Sequence, residues 1–560
     1  MSNDIIKEGH SVKTHQKVDP PRATTTRIFF MDASNQSLTT IPPEILELKD
    51  LEEVHLENNQ IEEIPQGIQH LKKVRILYLN KNKLRKLCPE LGRLSGLEGL
   101  DLSDNPLLPS SLRVLGGIRR LRELRLYRTD LAEIPVDLCK LLHHLELLGL
   151  DGNRLKSLPK EAVNHTKLRE IYLKRNQFEV FPPALCVLYN LEIVDLDDNK
   201  LTAIPEEIGN LTRLQKFYVA RNSLCLLPES LCQCSKLSVL DLSYNHFRCL
   251  PHTLAQLSRM TEIGLSGNPL EKVPRLICKW HSLHLLYLHD TSLWTLRRSF
   301  RRLVNLHFLD LSQNHLECCP LQICALKNLE ILALDDNEIC QLPPGFGSLS
   351  KLKMLGLTGN RFASFPEEIL SLESLEKLYL GQDQGAKLTY MPEDISKLQT
   401  LKELYIENNH LEYLPTSLGS MPHLEILDCR HNLLKQLPDS ICQTQALKEL
   451  LLEDNLITCL PENLDSLINL KVLTLMNNPM EDPPGEVCAE GTQAIWEYLK
   501  TKRKMNIMAT KIQAWWHGVM VRKGLGKYEE LKLLKKGKTS PKDKKGKKNG
   551  KGKAVKKNKK

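Results

Sequence analysis

Apolar residues recur along most of the chain with a period of 23 residues. Residues 191–211 read LEIVDLDDNKLTAIPEEIGNL, in which Leu191, Val194 and Leu196 alternate as in a short strand. The same pattern starts 19 times across residues 51–470; of the 18 intervals between starts, 15 are 23 residues, two are 24 and one is 26. Self-similarity of this regularity predicts stacked structural repeats and argues against a series of independent domains.

A period of 20–29 residues with the pattern L-x-x-L-x-L-x-x-N-x-L is typical of leucine-rich repeats. Burying the roughly eight apolar side chains of one turn yields about 1.5–3 kcal/mol each, whereas ordering its residues costs about 1.5 kcal/mol apiece. A single turn is therefore unstable alone, and its neighbours must stack on it. The predicted fold is an α/β solenoid, a leucine-rich-repeat horseshoe with a parallel concave sheet. It is expected to span residues 28–490 in about 20 repeats, the first degenerate.

One polar position interrupts the apolar pattern of each turn. An asparagine follows the strand, as at Asn199 and Asn222. Because a buried amide must find hydrogen-bond partners, we expect bonds to backbone groups at the bend, including those of the next turn. Asp383 takes this slot in a repeat with three extra residues, for which we predict a bulging loop.

The cysteines indicate a reducing compartment. Seven of the 16 lie 18 residues after the start of a turn, a slot that holds glycine or alanine in five other turns. A thiol there is expected to act as a small buried hydrophobe, and not as half of a disulfide. The N-terminus lacks the apolar core of a signal peptide, and no apolar stretch reaches the roughly 18 residues of a membrane span. We therefore predict a cytoplasmic protein, with a nuclear or cytoskeletal fraction left open.

The net charge of +9 combines two parts of opposite sign. Residues 531–560 contain 15 lysines and one aspartate, a charge of +14, which leaves −5 for the rest. This tail is predicted to be disordered and able to bind polyanions (microtubules, acidic lipid or nucleic acid) without sequence specificity. Residues 1–27 are polar, show no period and are predicted to be a disordered leader.

Signatures of catalysis are absent from the sequence. It contains no phosphate-binding glycine loop followed by Lys-Ser/Thr, no H-E-x-x-H and no paired C-x-x-C at zinc spacing. We assign no catalytic residue, metal ligand, cofactor or small-molecule substrate, and we predict a protein that is not an enzyme.

The side chain four residues after each turn start is predicted to point outward on the concave sheet. Six of the chain's 13 tyrosines occupy this slot, with aspartates between them. This sheet-face column consists of Tyr78, Asp101, Tyr172, Asp195, Tyr218, Asp241, Tyr287, Asp310, Tyr379, Tyr405 and Asp428. Tyrosine suits an interface, and aspartate favours a basic partner. The column is a candidate protein-binding surface, although both residue types are also ordinary on an exposed strand.

Helical spacing begins after the last repeat. Ile495, Trp496 and Leu499 share one face, which predicts a helix over residues 491–505 that caps the last repeat. A second helix is predicted over residues 506–530.

This second segment is amphipathic and basic. Its apolar stripe, at three- and four-residue spacing, consists of Met505, Met508, Ile512, Trp515, Trp516 and Val519. Lys511, Arg522 and Lys523 add positive charge. Such a helix is typical of a calmodulin target or a membrane-surface element, and it could also dock on the end of the solenoid.

Ile512-Gln513, Gly518 and Arg522 with Leu525 resemble the IQ motif, IQxxxRGxxxRxxL. The resemblance implies a helix held by calmodulin or a calmodulin-like EF-hand protein, with the glutamine bonded to backbone and the glycine allowing close approach. The implied calmodulin-binding residues are Ile512, Gln513, Trp516, Gly518, Val519, Arg522 and Leu525. His517 replaces the first arginine of the motif, which is expected to weaken binding or make it pH-sensitive.

Repeats with an Ile-Pro step and the GTQAIWEYL ending resemble intracellular leucine-rich-repeat scaffolds related to Ras-binding proteins. With an IQ element behind the repeats, the chain resembles the leucine-rich repeat and IQ domain-containing proteins. The resemblance implies an intracellular adaptor in signal transduction, without enzymatic activity. Two alternatives remain open at this point: a regulator of a small GTPase or phosphatase, and a polyanion-binding protein that acts through the lysine-rich tail.

Overall fold

The computed structural model describes residues 28–382, 386–523 and 525–526. The predicted leader (1–27), the predicted basic tail (531–560) and Asp383 lie outside the described residues. The chain divides into two compact units. The first comprises Met1–Leu388 and Lys397–Leu404, and the second comprises Thr389–Ser396 and Tyr405–Lys560.

Each turn contributes one strand of three residues, whose central side chain faces the interior. Val194 and Phe217 are central residues of this kind and are fully buried. Within the described residues the strands are Phe30–Asp32, Glu53–His55, Ile76–Tyr78, Gly99–Asp101, Glu123–Arg125, Leu147–Gly149, Glu170–Tyr172, Ile193–Asp195, Lys216–Tyr218, Val239–Asp241, Glu262–Gly264, Leu285–Tyr287, Phe308–Asp310, Ile331–Ala333, Met354–Gly356, Lys377–Tyr379, Glu403–Tyr405, Ile426–Asp428, Glu449–Leu451 and Val472–Thr474.

Neighbouring strands pair in parallel, and each residue pairs with the equivalent residue of the next turn. In the first unit Ile193 pairs with Lys216, and Lys216 pairs with Val239. In the second unit Ile426 pairs with Glu449 in the same way. Equivalent residues of successive turns therefore lie side by side, and the predicted leucine-rich-repeat solenoid fold is confirmed.

The return path of most turns is a short 3-10 helix that follows a proline. Pro205, for example, precedes Glu206–Asn210; proline suits this place because its φ is fixed and it has no N–H to satisfy. The 3-10 helices are Gln66–His70, Pro89–Arg93, Pro109–Gly117, Lys160–Asn164, Pro183–Val187, Glu206–Asn210, Glu229–Gln233, His252–Gln256, Ile277–Lys279, Arg298–Arg302, Leu321–Ala325, Phe346–Ser348, Glu367–Ser371, Glu393–Lys397, Thr416–Ser420, Asp439–Gln443 and Leu464–Ser466. Short α-helices span Pro43–Leu46, Val136–Leu141 and Gly485–Ala489.

The asparagine of each regular turn ties that turn to the one before it. Asn222 Nδ2 donates to the carbonyl oxygens of Leu196 at 2.9 Å and Val219 at 3.1 Å, and its Oδ1 accepts from the Leu201 N–H at 2.9 Å. The prediction that these amides reach the next turn is therefore wrong in direction. The carbonyl that ends each strand faces the following turn, so the amide of that following turn reaches back to it.

The chain ends its described part in one continuous helix, Thr492–Lys523, of 32 residues; we call it the C-terminal helix. Ile495 and Leu499 are buried at its start, and the Leu473 N–H donates to Thr492 Oγ1 at 3.0 Å. The two helical segments anticipated from the sequence join here without a break as far as Lys523. The first part of this helix packs on the last strand of the second unit.

Candidate protein-binding surfaces

The parallel register places the sheet-face column of the first unit in one row. Tyr218 pairs with Asp241, and Tyr287 pairs with Asp310. The column side chains are half-buried, with one exception: Asp428 of the second unit is 1% exposed and binds the Arg430 guanidinium. The expectation that Asp428 is exposed on the sheet surface is therefore wrong, because Arg430, two residues later on the same face, covers its carboxylate.

A polar cavity of about 560 Å³ opens on the sheet face of the first unit. Its lining includes Asp197, Asp241, Glu262, Tyr287 and Asp310. Gly264, which takes the column slot between Asp241 and Tyr287, leaves the necessary space: a Cβ there would lie 2.2 Å from Asp241 Oδ1. The cavity therefore combines several carboxylates with a tyrosine ring.

Burial makes two carboxylates of this face, Asp197 and Asp195, reluctant to ionise. It raises the pKa of Asp197 to about 7, and the nearby charges of Asp195 and Asp241 act in the same direction. The Ala220 N–H, at 2.7 Å, and the Lys174 ammonium, at 3.4 Å, oppose the shift only in part. Burial likewise raises the pKa of Asp195 to about 6. A basic group from outside would favour the ionised forms of these two carboxylates and so stabilise the surface.

Column tyrosines stay neutral in this setting. Burial, followed by the charge of Glu262, raises the pKa of Tyr218 to about 12. Burial also raises the pKa of Tyr287. Both side chains therefore offer a neutral hydroxyl beside the carboxylates.

Sequence reasoning missed two further rows on the same face. Asp197 belongs to a row two residues after the column, and Glu262 to a row two residues before it. The alternation of side chains along a strand was the signal that could have found them, because every second residue shares a face. The earlier row also carries an apolar run on consecutive strands, formed by Leu285, Phe308, Ile331 and Met354.

The C-terminal helix is fixed to the second unit by polar contacts through Asn506. Tyr498 and Lys502 both bind the Asp482 carboxylate. The residue after Lys502, Arg503, pairs with Asp465. Asn506 Nδ2 then donates to Glu462 Oε1 at 2.8 Å.

Beyond these contacts the apolar stripe of the helix is exposed. Ile512 and Trp515 are each 63% exposed and Trp516 is 53% exposed, while Val519 is half-buried. The tryptophan rings lie 6.5 Å apart. The alternative in which this stripe docks on the end of the solenoid is therefore wrong for the described residues.

The implied IQ residues lie along this exposed segment. Gln513, Arg522 and Leu525 are exposed, and Gly518 is half-buried. The atom nearest to a Cβ built at Gly518 is Arg522 Nη1, at 3.1 Å. Since that arginine is flexible, the helix itself does not require glycine at this position.

Comparison with known proteins agrees with this architecture. The model described as "Leucine-rich repeat region" matches residues 271–408, and "Leucine rich repeat" matches 32–84 and 212–270. Human leucine-rich repeat and IQ domain-containing protein 4 is 84% identical over 544 residues, 97% of either chain. The mouse protein of that name is 80% identical over 97% of this chain and 91% of its own length. The chain belongs to the leucine-rich repeat and IQ domain-containing proteins. The resemblance inferred from the repeats and the IQ element, to the fourth member of this family, is confirmed.

Solved structures similar to this family member are leucine-rich-repeat proteins. The Arabidopsis receptor kinase HAESA, in complex with the peptide hormone IDA and the co-receptor SERK1, matches with a TM-score of 0.58 and 26% identity. That match covers 82% of this chain and 80% of the HAESA chain in that structure. A Leptospira interrogans leucine-rich-repeat protein matches with a TM-score of 0.51 and 28% identity, over 79% of this chain and 94% of its own.

Two further properties of this family member concern its described residues alone. No group of three or more His, Cys, Asp or Glu side chains among them could hold a metal ion. None of the helices there combines the length and apolar content that crossing a bilayer requires.

Proposed function

We propose that this chain is a non-enzymatic cytoplasmic adaptor in intracellular signal transduction. It binds calmodulin or a calmodulin-like EF-hand protein through residues 512–525, and it binds a second protein on the sheet face of the first unit. The observation that carries the proposal is an exposed apolar stripe on a helix that the folded second unit holds in place.

The apolar side chains of the stripe have the spacing that EF-hand proteins recognise in a target helix. Met505, Met508, Ile512, Trp515 and Val519 follow one another at three- or four-residue intervals, the arrangement of anchors in helix-in-groove recognition. Exposed side chains of this size are costly in water, and burial in a groove would recover about 1.5–3 kcal/mol for each. The contacts that hold the first part of the helix also support EF-hand binding. Because the helix is already formed, binding does not have to order it.

The test uses the full chain with two isoleucines of the same helix. Ile512→Asp removes the central anchor of the stripe, whereas Ile507→Asp places the same charge on the opposite face at a residue that is 49% exposed. Binding to purified calmodulin is measured by isothermal titration, with calcium and with a chelator. We expect Ile512→Asp to lose binding and Ile507→Asp to keep it; equal affinities of the two variants would refute the EF-hand assignment.

The sheet face supports a basic protein partner. Buried carboxylates such as Asp197, together with Asp241 and Glu262, would gain from a lysine or arginine placed in the cavity. The rings of Tyr218 and Tyr287 add rigid apolar area next to the charges. This combination favours an interface that selects cationic side chains.

The second test compares partner lists from cells. The triple variant Tyr218→Ala, Asp241→Asn and Tyr287→Ala is compared with a control, Tyr189→Ala, Glu207→Gln and Tyr413→Ala. The control removes groups of the same types outside the column. Proximity labelling should lose a specific protein only in the first variant, and the identity of that protein decides whether a GTPase or phosphatase is regulated. Identical lists would discard the sheet face as a binding surface.

A further inference from the structure

The return segments of two neighbouring turns in the first unit carry a cluster of exposed cations. The 3-10 helix Arg298–Arg302 and the helix Ile277–Lys279 lie side by side. The exposed basic side chains on and beside them are Arg275, Lys279, Arg298, Arg301 and Arg302, which we call the cationic surface. Residues 296–305, LRRSFRRLVN, contain four arginines and no acid.

Like charges face each other across these turns. Arg298 occupies the slot of Arg275 one turn later, and Arg302 occupies the slot of Lys279, since the strands of these turns pair with the same offset of 23 residues. Among the described residues, no carboxylate lies within ion-pair distance of any of the five. Adjacent like charges repel, so this arrangement disfavours the free protein.

Other charged rows of the same unit have the opposite arrangement. Arg169 pairs with Glu192 of the next turn at 3.0 Å, and Lys353 pairs with Glu330 at 2.7 Å. In this fold a charged side chain can thus be neutralised by an opposite charge on the neighbouring turn, and the cationic surface lacks such pairs. The excess positive charge there is left for an anionic partner.

Aliphatic side chains are exposed beside the cations. Leu321 occupies the slot of Arg298 in the following turn and is 67% exposed, and Val304 lies two residues after Arg302. The exposed aromatic in this region, Trp294, already contacts the His315 ring, with 4.9 Å between ring centroids. The exposed groups of this surface therefore favour contact with an apolar layer over stacking on nucleic-acid bases.

We propose that the cationic surface, with Leu321 and Val304, binds the anionic face of a phospholipid bilayer. The arginines pair with lipid phosphates and carboxylates, for which the guanidinium fork is well shaped. The aliphatic side chains enter the boundary between headgroups and acyl chains. Such binding is peripheral and reversible, and it is independent of the calmodulin-binding helix and of the sheet face.

The test is co-sedimentation of the full chain with phosphatidylcholine vesicles, with and without phosphatidylserine, at physiological ionic strength. The variant is Arg298→Gln, Arg301→Gln and Arg302→Gln. Each basic residue near an anionic surface strengthens binding about fivefold. Because the lysine-rich tail also attracts such vesicles, we expect the triple variant to lose at least about tenfold in partition, and not the full product.

The matched control is Arg113→Gln, Arg119→Gln and Arg120→Gln. It removes the same charge from three exposed arginines of one other turn and leaves the tail unchanged. We expect the control to keep its partition to within about twofold. An equal loss in both variants, or no loss in the first, would overturn the proposal.

Two additional arms distinguish the bilayer from other anionic partners. Leu321→Ser keeps the charge and should still weaken partition into phosphatidylserine vesicles; unchanged partition would contradict the apolar part of the proposal. Poly-glutamate and single-stranded RNA are titrated in parallel. If the arginine variant loses binding to one of these but keeps its vesicle partition, the surface serves an acidic macromolecule and the lipid assignment is wrong.

Discussion

The Tyr498 hydroxyl donates a hydrogen bond to Asp482 Oδ1 at 3.0 Å, and this contact joins the C-terminal helix to the last turn of the second unit. Lys502 binds the other oxygen of the same carboxylate. The next residue, Arg503, pairs with Asp465, whose side chain is 4% exposed. The helix therefore leaves the folded unit in a defined direction before its exposed stripe begins.

We predict that Arg503→Ala loosens the base of this helix. The change leaves the buried Asp465 carboxylate without its ion-pair partner, and an unpaired buried charge costs about 3 kcal/mol. Amide hydrogen exchange, read by mass spectrometry over residues 492–506, should become faster. Lys504→Ala is the matched control, since Lys504 is exposed at the adjacent position. Equal exchange in both variants would mean that the ion pair does not hold the helix.

We predict that Asn222→Ala destabilises the first unit by about 3 kcal/mol. The amide donates to Leu196 and Val219 and accepts from Leu201; each buried group left unpaired costs about 1–3 kcal/mol. Urea unfolding followed by circular dichroism measures the effect. Asn210→Ala, at an exposed asparagine, should change the free energy of unfolding by less than about 0.5 kcal/mol.

The repeat was predictable because one short pattern sets both the period and the burial. Leu191, Val194 and Leu196 fall in the interior wherever the turns stack in register. The direction of the asparagine bonds was not predictable, since it depends on which turn the strand-ending carbonyl faces. The residue before each asparagine has a left-handed backbone conformation, which the sequence did not reveal. At Gly267, with φ of 66°, a glycine hints at this conformation, whereas Arg221 adopts it with φ of 53° and gives no such hint.

We predict that Gly518→Ala separates helix stability from calmodulin binding. A glycine inside a helix costs about 0.5–1 kcal/mol relative to alanine, and the free helix has room for the methyl group. The variant should therefore exchange its amides more slowly around residue 518. A close-packed calmodulin lobe would meet the added methyl group, so affinity should fall by about 1–2 kcal/mol.

The matched control exchanges the same two residue types in the other direction. Ala514→Gly lies off the apolar stripe, so it should speed exchange and change affinity by less than about threefold. If Gly518→Ala binds calmodulin as tightly as the unaltered chain, the glycine has no contact role.

The candidate surfaces were predictable to different degrees. The stripe around Ile512 follows from helical spacing alone, but its exposure does not, because the sequence leaves docking on the end of the solenoid open. Only part of the acidic cavity was predictable from the sequence. The column predicted Asp241, whereas Asp197 and Glu262 belong to other rows. Asp428 shows the remaining limit, because a neighbouring arginine two residues away decides its burial.

We predict that Asp197→Asn raises the stability of the first unit at neutral and higher pH. Burial, with Asp195 and Asp241 nearby, raises the pKa of Asp197 to about 7 in the folded chain, against about 3.9 when unfolded. The folded chain therefore holds this proton more tightly, and the free energy of unfolding falls as pH rises from about 4 to 7. Asparagine carries no such cost and can still accept the Ala220 N–H.

The difference between Asp197→Asn and the unaltered chain should be small near pH 4 and reach roughly 2 kcal/mol near pH 8, partly offset by the lost Lys174 contact. Urea unfolding at a series of pH values measures it, with Asp290→Asn as an exposed control. A loss of stability near pH 8 would show that Lys174 outweighs burial. In that case the cavity would already be neutralised from within, and a basic partner would gain nothing from Asp197.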